Sequence, residues 1–227
     1  MALSFAVITE GVSEYSIIKH IIQHYLTEDP IVRRLQPLVD TNGHQIGTGG
    51  WNEVLKYCTQ NDCLQSALEH NDYIVVQIDT DMCETAPFSV SRVAEGGGQV
   101  SYEILLQRVK QRLLDEISDT IDISKIIFAI CVEEAECWLL PAVCTRENKK
   151  NATKNCCNRV NFELARLGVP TIVEKNSPQA KRSYEYLLSK MKKKREIQNA
   201  ASYHLGFNQF LAQLASAESN VATLNET

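Results

Sequence analysis

The sequence predicts an α/β fold: a mostly parallel central sheet flanked by helices, with a mainly helical C-terminal extension. Three observations predict it. In the first half, apolar runs of strand length alternate with amphipathic stretches of helix length, the pattern of a sheet with crossover helices. Three of the apolar runs end in acids: Glu10 and Glu14 in FAVITEGVSE, Asp79 and Asp81 in YIVVQIDTD, Glu134 and Glu136 in IIFAICVEEAE. After about Thr145 the strand signal fades, so residues 1–145 are expected as one α/β domain and residues 146–227 as a helical extension packed on it.

Taken in order, Ser4 to Thr9 reads as a buried strand. Ser13 to Leu26 follows as a helix with Ile17, Ile18, Ile21, Ile22 and Tyr25 on one face and Ser13 as its N-cap. Leu35 to Val39 is expected as a short second strand, and Thr41 to Gly50, with four glycines in ten residues, as a flexible loop. Trp51 to His70 reads as a helix, Tyr73 to Ile78 as a central β-branched strand, and Gln99 to Ile117 as a helix. The long connection Asp79 to Gly98, containing Pro87 and Gly96 to Gly98, sits beside candidate chemistry and is expected to serve as a substrate loop. Lys125 to Val132 is another strand, running into a helix over Glu134 to Val143. Beyond it, helices are expected at Asn158 to Leu167, Ser177 to Lys194 (Pro178 in its first turn) and Phe207 to Ser216. One further strand is expected at Gly168 to Glu174, and fraying from Ser219 onward.

At 227 residues and 44% hydrophobic content the chain is long enough for one sizeable core. The N-terminus lacks the basic region of a signal peptide, and no segment has the roughly 18 to 20 apolar residues of a membrane span, so a cytoplasmic protein is expected. The eight cysteines form no CxxC pair; most are expected to be reduced, with a zinc site from Cys137, Cys144, Cys156 and Cys157 as the disfavoured alternative. Net charge is −5, which argues against binding nucleic acid through bulk positive charge. The average hides an asymmetry. Lys181, Arg182, Lys190, Lys192, Lys193, Lys194 and Arg195, against Glu185 alone, carry +6 and leave −11 on the remainder, so one basic helix is expected on an acidic body.

Strand ends on one edge of a parallel sheet converge, so acids distant in sequence can meet there and hold a hard divalent ion. In TEGVSE, Glu10 follows the first strand, Gly11 is expected to permit a tight turn into the helix, and Glu14 lies one helical turn further on. Asp79 and Asp81 are alternate residues and project to the same side of an extended segment. Of Glu133, Glu134 and Glu136, at most two can face the same way. For each cluster the plain alternative is a solvated helix N-terminus favoured by the dipole.

Together the clusters resemble the Toprim domain, in particular OLD-type and small stand-alone bacterial Toprim nucleases. Glu10-Gly11 matches the family's Glu-Gly after strand one, Asp79-Thr80-Asp81 its Asp-x-Asp, and Glu14 the Glu-Gly-x-x-Glu variant. Glu134 and Glu136 ahead of Trp138 and Leu139 resemble a further acidic motif, and the likeness spans roughly Phe5 to Leu140. The resemblance implies a Toprim-like metal-binding domain that cleaves phosphodiester bonds of DNA or RNA with Mg²⁺ or Mn²⁺. Glu10, Asp79 and Asp81 would be catalytic metal residues, Glu14, Glu134 and Glu136 further ligands, and Lys181 the catalytic lysine. Lys181, Arg182, Lys190, Lys192, Lys193, Lys194 and Arg195 are the expected nucleic-acid contacts. The related proteins imply an anti-phage effector beside a separate ATPase, since GHQIGTGG lacks the Gly-Lys-[Ser/Thr] of a P-loop. The competing readings are a non-catalytic Toprim-like regulatory or nucleotide-binding protein, and a phosphohydrolase of small molecules.

Overall fold

A computed structural model describes residues 2–175 and 177–224. The chain runs β1 (Ser4–Ile8), α1 (Val12–Tyr25), β2 (Ile31–Gln36), α2 (Trp51–Cys58), α3 (Asn61–His70), β3 (Tyr73–Asp79), α4 (Tyr102–Leu114) and β4 (Ile126–Cys131). Helices α5 (Glu136–Val143), α6 (Cys156–Arg166), α7 (Pro178–Leu188), α8 (Lys194–Ala201) and α9 (Leu205–Leu224) complete it. The four strands form one parallel sheet in the order β2-β1-β3-β4.

Alternation along the strands builds two cores. Phe5, Val7, Val75, Ile127 and Ala129 face α1 and the helices after residue 145, while Ala6, Ile8, Ile74, Val76 and Phe128 face α2, α3 and α4. Trp138 of α5 anchors the first core, stacked on Phe207 of α9 with ring centroids 4.5 Å apart. Helix α9 also covers the outer edge of β4. The Gln213 side-chain amide accepts from the Phe128 N–H (3.0 Å) and donates to its carbonyl (2.9 Å), satisfying an edge that would otherwise stay open. At Gly206 the helix backbone presses so closely on β4 that an added Cβ would collide with the Ile130 carbonyl oxygen. Gly206→Ala is therefore expected to cost roughly 1–3 kcal/mol through forced displacement of α9, measurable by urea denaturation.

Several boundaries differ from the sequence expectation. The second strand is Ile31–Gln36 and not Leu35 to Val39, because an edge strand tolerates Arg33 and Arg34. Arg33 donates to Asn71 Oδ1 (2.9 Å), and Arg34 lies over the Tyr15 ring. The helix expected over Trp51 to His70 breaks at Thr59, whose hydroxyl bonds back to the Lys56 carbonyl (2.8 Å). No strand forms at Gly168 to Glu174. Gly168, at φ +68°, ends α6, and the Asn161 amide bonds both backbone groups of Ile172 as a neighbouring strand would. The single basic helix is two helices: α7 ends at Leu188, buried Met191 turns the chain inward, and α8 starts where Glu196 accepts from the Lys193 N–H (3.0 Å). Helix α9 continues past Ser219 to Leu224 where fraying was expected; Asn225 to Thr227 lie outside the described residues. Among the described residues no helix is long and apolar enough to cross a membrane.

Candidate functional site

The strand order reverses between β1 and β3: the chain leaves β1 for α1 on one face of the sheet and β3 for α4 on the other. A crevice opens at the carboxyl ends of the two strands flanking such a reversal. Glu10 stands two residues past β1, and Asp79 is the last residue of β3. They are tied by a closed ring of hydrogen bonds through buried Gln77. The Glu10 N–H donates to Gln77 Oε1 (3.2 Å), Gln77 Nε2 donates to Asp79 Oδ1 (2.8 Å), and the Asp79 N–H donates to Glu10 Oε1 (2.7 Å).

Glu14 and Glu136 reach the same crevice from the N-termini of α1 and α5, and both are buried. Gly11 makes the room. Its φ of −150° is open to any residue, so the turn itself does not require glycine; a Cβ there would stand 2.5 Å from Glu14 Oε2. Ser13 donates its hydroxyl to that oxygen (2.8 Å). Between the two acids lies Lys175, whose ammonium is 3.0 Å from Glu14 Oε1 and 2.9 Å from Glu136 Oε1. The Tyr184 hydroxyl of α7 donates to Glu136 as well. Lys175 and Tyr184 were not singled out from sequence. The available signal was weak: a lysine two residues ahead of the Ser177 cap of α7, with Tyr184 on the buried face of that helix.

The remaining predicted ligands are placed differently. Asp81 sits at the exposed rim, its N–H donating to the Glu133 carbonyl (3.3 Å). Glu133, at φ +63°, is held by Arg92 (2.5 Å) and by the Thr80 hydroxyl, which accepts from its N–H (2.9 Å). The connection after β3, expected as a substrate loop, thus folds back through Arg92 to brace the ends of β3 and β4. Glu134 points away from the cluster and caps α6, accepting from the N–H groups of Cys156 (3.0 Å) and Cys157 (3.2 Å). That is the plain helix-terminus role.

Burial and crowding set the electrostatics. Desolvation is the main cause pushing the Glu10 carboxyl up to about 8; the Asp79 N–H opposes it, and Glu14 and Asp81 add repulsion. Asp79 is raised well above the usual carboxylate range by burial and then by Glu10 and Glu14. Glu136 is raised by burial, with Lys175 pulling the other way, and Asp81 by partial desolvation. Burial opposes the Lys175 charge, but Glu14, Glu136 and Asp79 outweigh it and raise its pKa.

Among the described residues no three His, Cys, Asp or Glu side chains already close around one point as a ligand set. Lys175 spans Glu14 and Glu136, and Glu10 gives one oxygen to the Asp79 backbone. The donor chemistry still fits a hard divalent ion: Glu10, Asp79 and Asp81 are carboxylates with no cation among the described residues hydrogen-bonded to any of them.

The basic residues divide into two places. Lys181 and Arg182 lie exposed on α7, the helix that sends Tyr184 into the cluster; the ammonium that touches the acids is that of Lys175, not Lys181. Lys190, Lys192, Lys193, Lys194 and Arg195 belong to the turn after α7 and the start of α8. Lys194 sits over the Tyr25 ring, and Tyr25 is eleven residues beyond Glu14 on α1, about 16 Å along the helix. Lys194 is therefore remote from the acids. Six of the eight cysteines are free, in line with the expectation that most are reduced, while Cys137 and Cys156 form a disulfide that links α5 to α6 and leaves no four-cysteine zinc set. Comparisons with protein-family profiles, curated proteins and solved structures return no match.

Proposed function

We propose that the protein is a Toprim-like, divalent-metal-dependent nuclease that hydrolyses phosphodiester bonds of DNA or RNA. One observation carries this: carboxylates following β1, β3 and β4 meet at the sheet's reversal point, where Glu10 is tied to Asp79 and where Glu14 and Glu136 share the Lys175 ammonium. Glu10, Asp79 and Asp81 would hold Mg²⁺ or Mn²⁺, which supplies charge neutralisation at the scissile phosphate and activation of water. Glu14 and Glu136 orient Lys175, which takes the catalytic-lysine role expected of Lys181. Lys181 and Arg182 would steer the polynucleotide backbone from the exposed face of α7. With no P-loop in the sequence, any ATP dependence would come from a separate ATPase, in keeping with an anti-phage effector in the cytoplasm.

A second reading, a non-catalytic regulatory protein, is favoured by the ion pairs that already engage Glu14 and Glu136. One experiment separates the two. Labelled single- and double-stranded DNA and RNA are incubated with the protein and Mn²⁺, alongside the Asp79→Asn/Asp81→Asn variant. The nuclease reading expects cleavage by the parent chain and a loss of a hundredfold or more in the variant, with circular dichroism unchanged. Cleavage that survives the substitutions, or no cleavage of any substrate, sinks it.

A further inference from the structure

A second site lies away from the acidic crevice, where α5, α6 and the turn between them enclose an open-mouthed cavity of about 310 Å³. Three cations line it, Arg146, Lys149 and Arg159, and its one acid, Glu163, is already engaged by Arg166 at 2.7 Å. Among the described residues the Lys149 ammonium has no anionic partner, although the adjacent Lys150 is paired with Glu147 at 2.8 Å. Arg159 spends its Nε on the Lys154 carbonyl (2.9 Å), which fixes the guanidinium and leaves its terminal N–H groups to the cavity.

Beside these cations stands Phe162, a large ring left 54% exposed on a helix that buries Val160 and Leu164. Arg146 and Arg166 approach it only at 5.9 and 6.0 Å from the centroid, the outer limit of a cation–π contact. Asn155 and Asn158 complete the wall with side-chain amides that have no partner among the described residues, each offering both donors and an acceptor. Cations without anions, an uncovered ring and free amides together match a phosphate joined to a planar, hydrogen-bonding base. The volume suits one such unit.

We propose that this cavity binds a single nucleotide unit, the base against Phe162 and the phosphate on Lys149 and Arg159. The unit comes either from a free nucleotide or from one residue of a polynucleotide strand. The site shares no residue with the acidic crevice and does not depend on cleavage there.

Binding of adenosine monophosphate, and of a fluorescein-labelled single-stranded oligonucleotide, is measured by calorimetry and fluorescence anisotropy with a chelator present. At least one probe is expected to bind, and Phe162→Ala and Lys149→Ala/Arg159→Ala are each expected to weaken it by roughly tenfold or more. These positions are exposed, so the variants should keep the parent's unfolding midpoint. The chelator withdraws divalent metal from the acidic crevice and so blocks cleavage, which separates failure of this site from failure of the nuclease. Binding of the oligonucleotide alone assigns the unit to a strand; binding of adenosine monophosphate assigns it to a free nucleotide. If neither probe binds, or if binding is indifferent to both sets of substitutions, the proposal is overturned.

Discussion

Raising the pH from about 4.5 to about 8 is expected to destabilise the protein, by several kcal/mol as an order of magnitude. Glu10 ionises near 4.5 in the unfolded chain but is held up to about 8 when folded, chiefly by burial. Across that window the native state keeps a proton that the unfolded state has lost, so stability falls as pH rises and levels off above the upper limit. Each unit of displacement corresponds to about 1.4 kcal/mol. Asp79, raised in the same direction, adds to the slope. Lys175 does not cancel it, because a base with a raised pKa loses its stabilising effect only above its ordinary value of 10.5. Urea denaturation at the two ends of the window measures the slope. A divalent cation bound by Glu10, Asp79 and Asp81 should flatten it, since the ion replaces the protons that relieve the repulsion, and should raise the unfolding midpoint most at the alkaline end. Stability that climbs through the window would contradict the buried acid cluster.

Lys175→Met is expected to cost about 2–4 kcal/mol. It removes the ammonium between Glu14 and Glu136, and breaking a buried ion pair from one side leaves the partner's charge uncompensated. The figure is set below the cost of a wholly buried pair because the Lys175 side chain is 40% exposed and partly screened by solvent. Pairing the change with Glu136→Gln should recover part of the loss, because the orphaned charge is then removed too; the double-mutant cycle reads this as a coupling of 0.5–3 kcal/mol, order of magnitude. Additive effects would mean that Lys175 and Glu136 do not act as a pair. Lys181→Met, on the exposed face of α7, should change stability by less than about 0.5 kcal/mol, which distinguishes the two lysines by measurement.

What could be read from sequence is what short-range pattern controls. Continuous apolar runs marked β1, β3 and β4, and period-3.6 apolar spacing marked α1, to within a few residues, because burial on both faces of a strand or one face of a helix is written into nearby positions. The acids at three strand ends followed directly, since a strand's carboxyl end is a local property. The misplaced elements failed for identifiable reasons. β2 is an edge strand whose arginines engage the side chains of Tyr15 and Asn71, so it lacks the apolar run that marks a central strand. The α7–α8 break depends on Met191 finding a place in the core, and that place is formed by other helices.

By itself, then, the sequence determined the parallel α/β class and brought Glu10, Asp79 and Asp81 to one sheet edge, because strand burial and strand ends are set by neighbours in the chain. Tertiary structure alone decided which charges meet. Lys175 reaches Glu14 across 161 residues and Glu136 across 39, Glu134 turns away to cap α6, and Cys137 joins Cys156. The physical reason is that a buried charge is stabilised by whichever opposite charge or N–H group the fold brings within about 3 Å, and that proximity has no counterpart in sequence spacing.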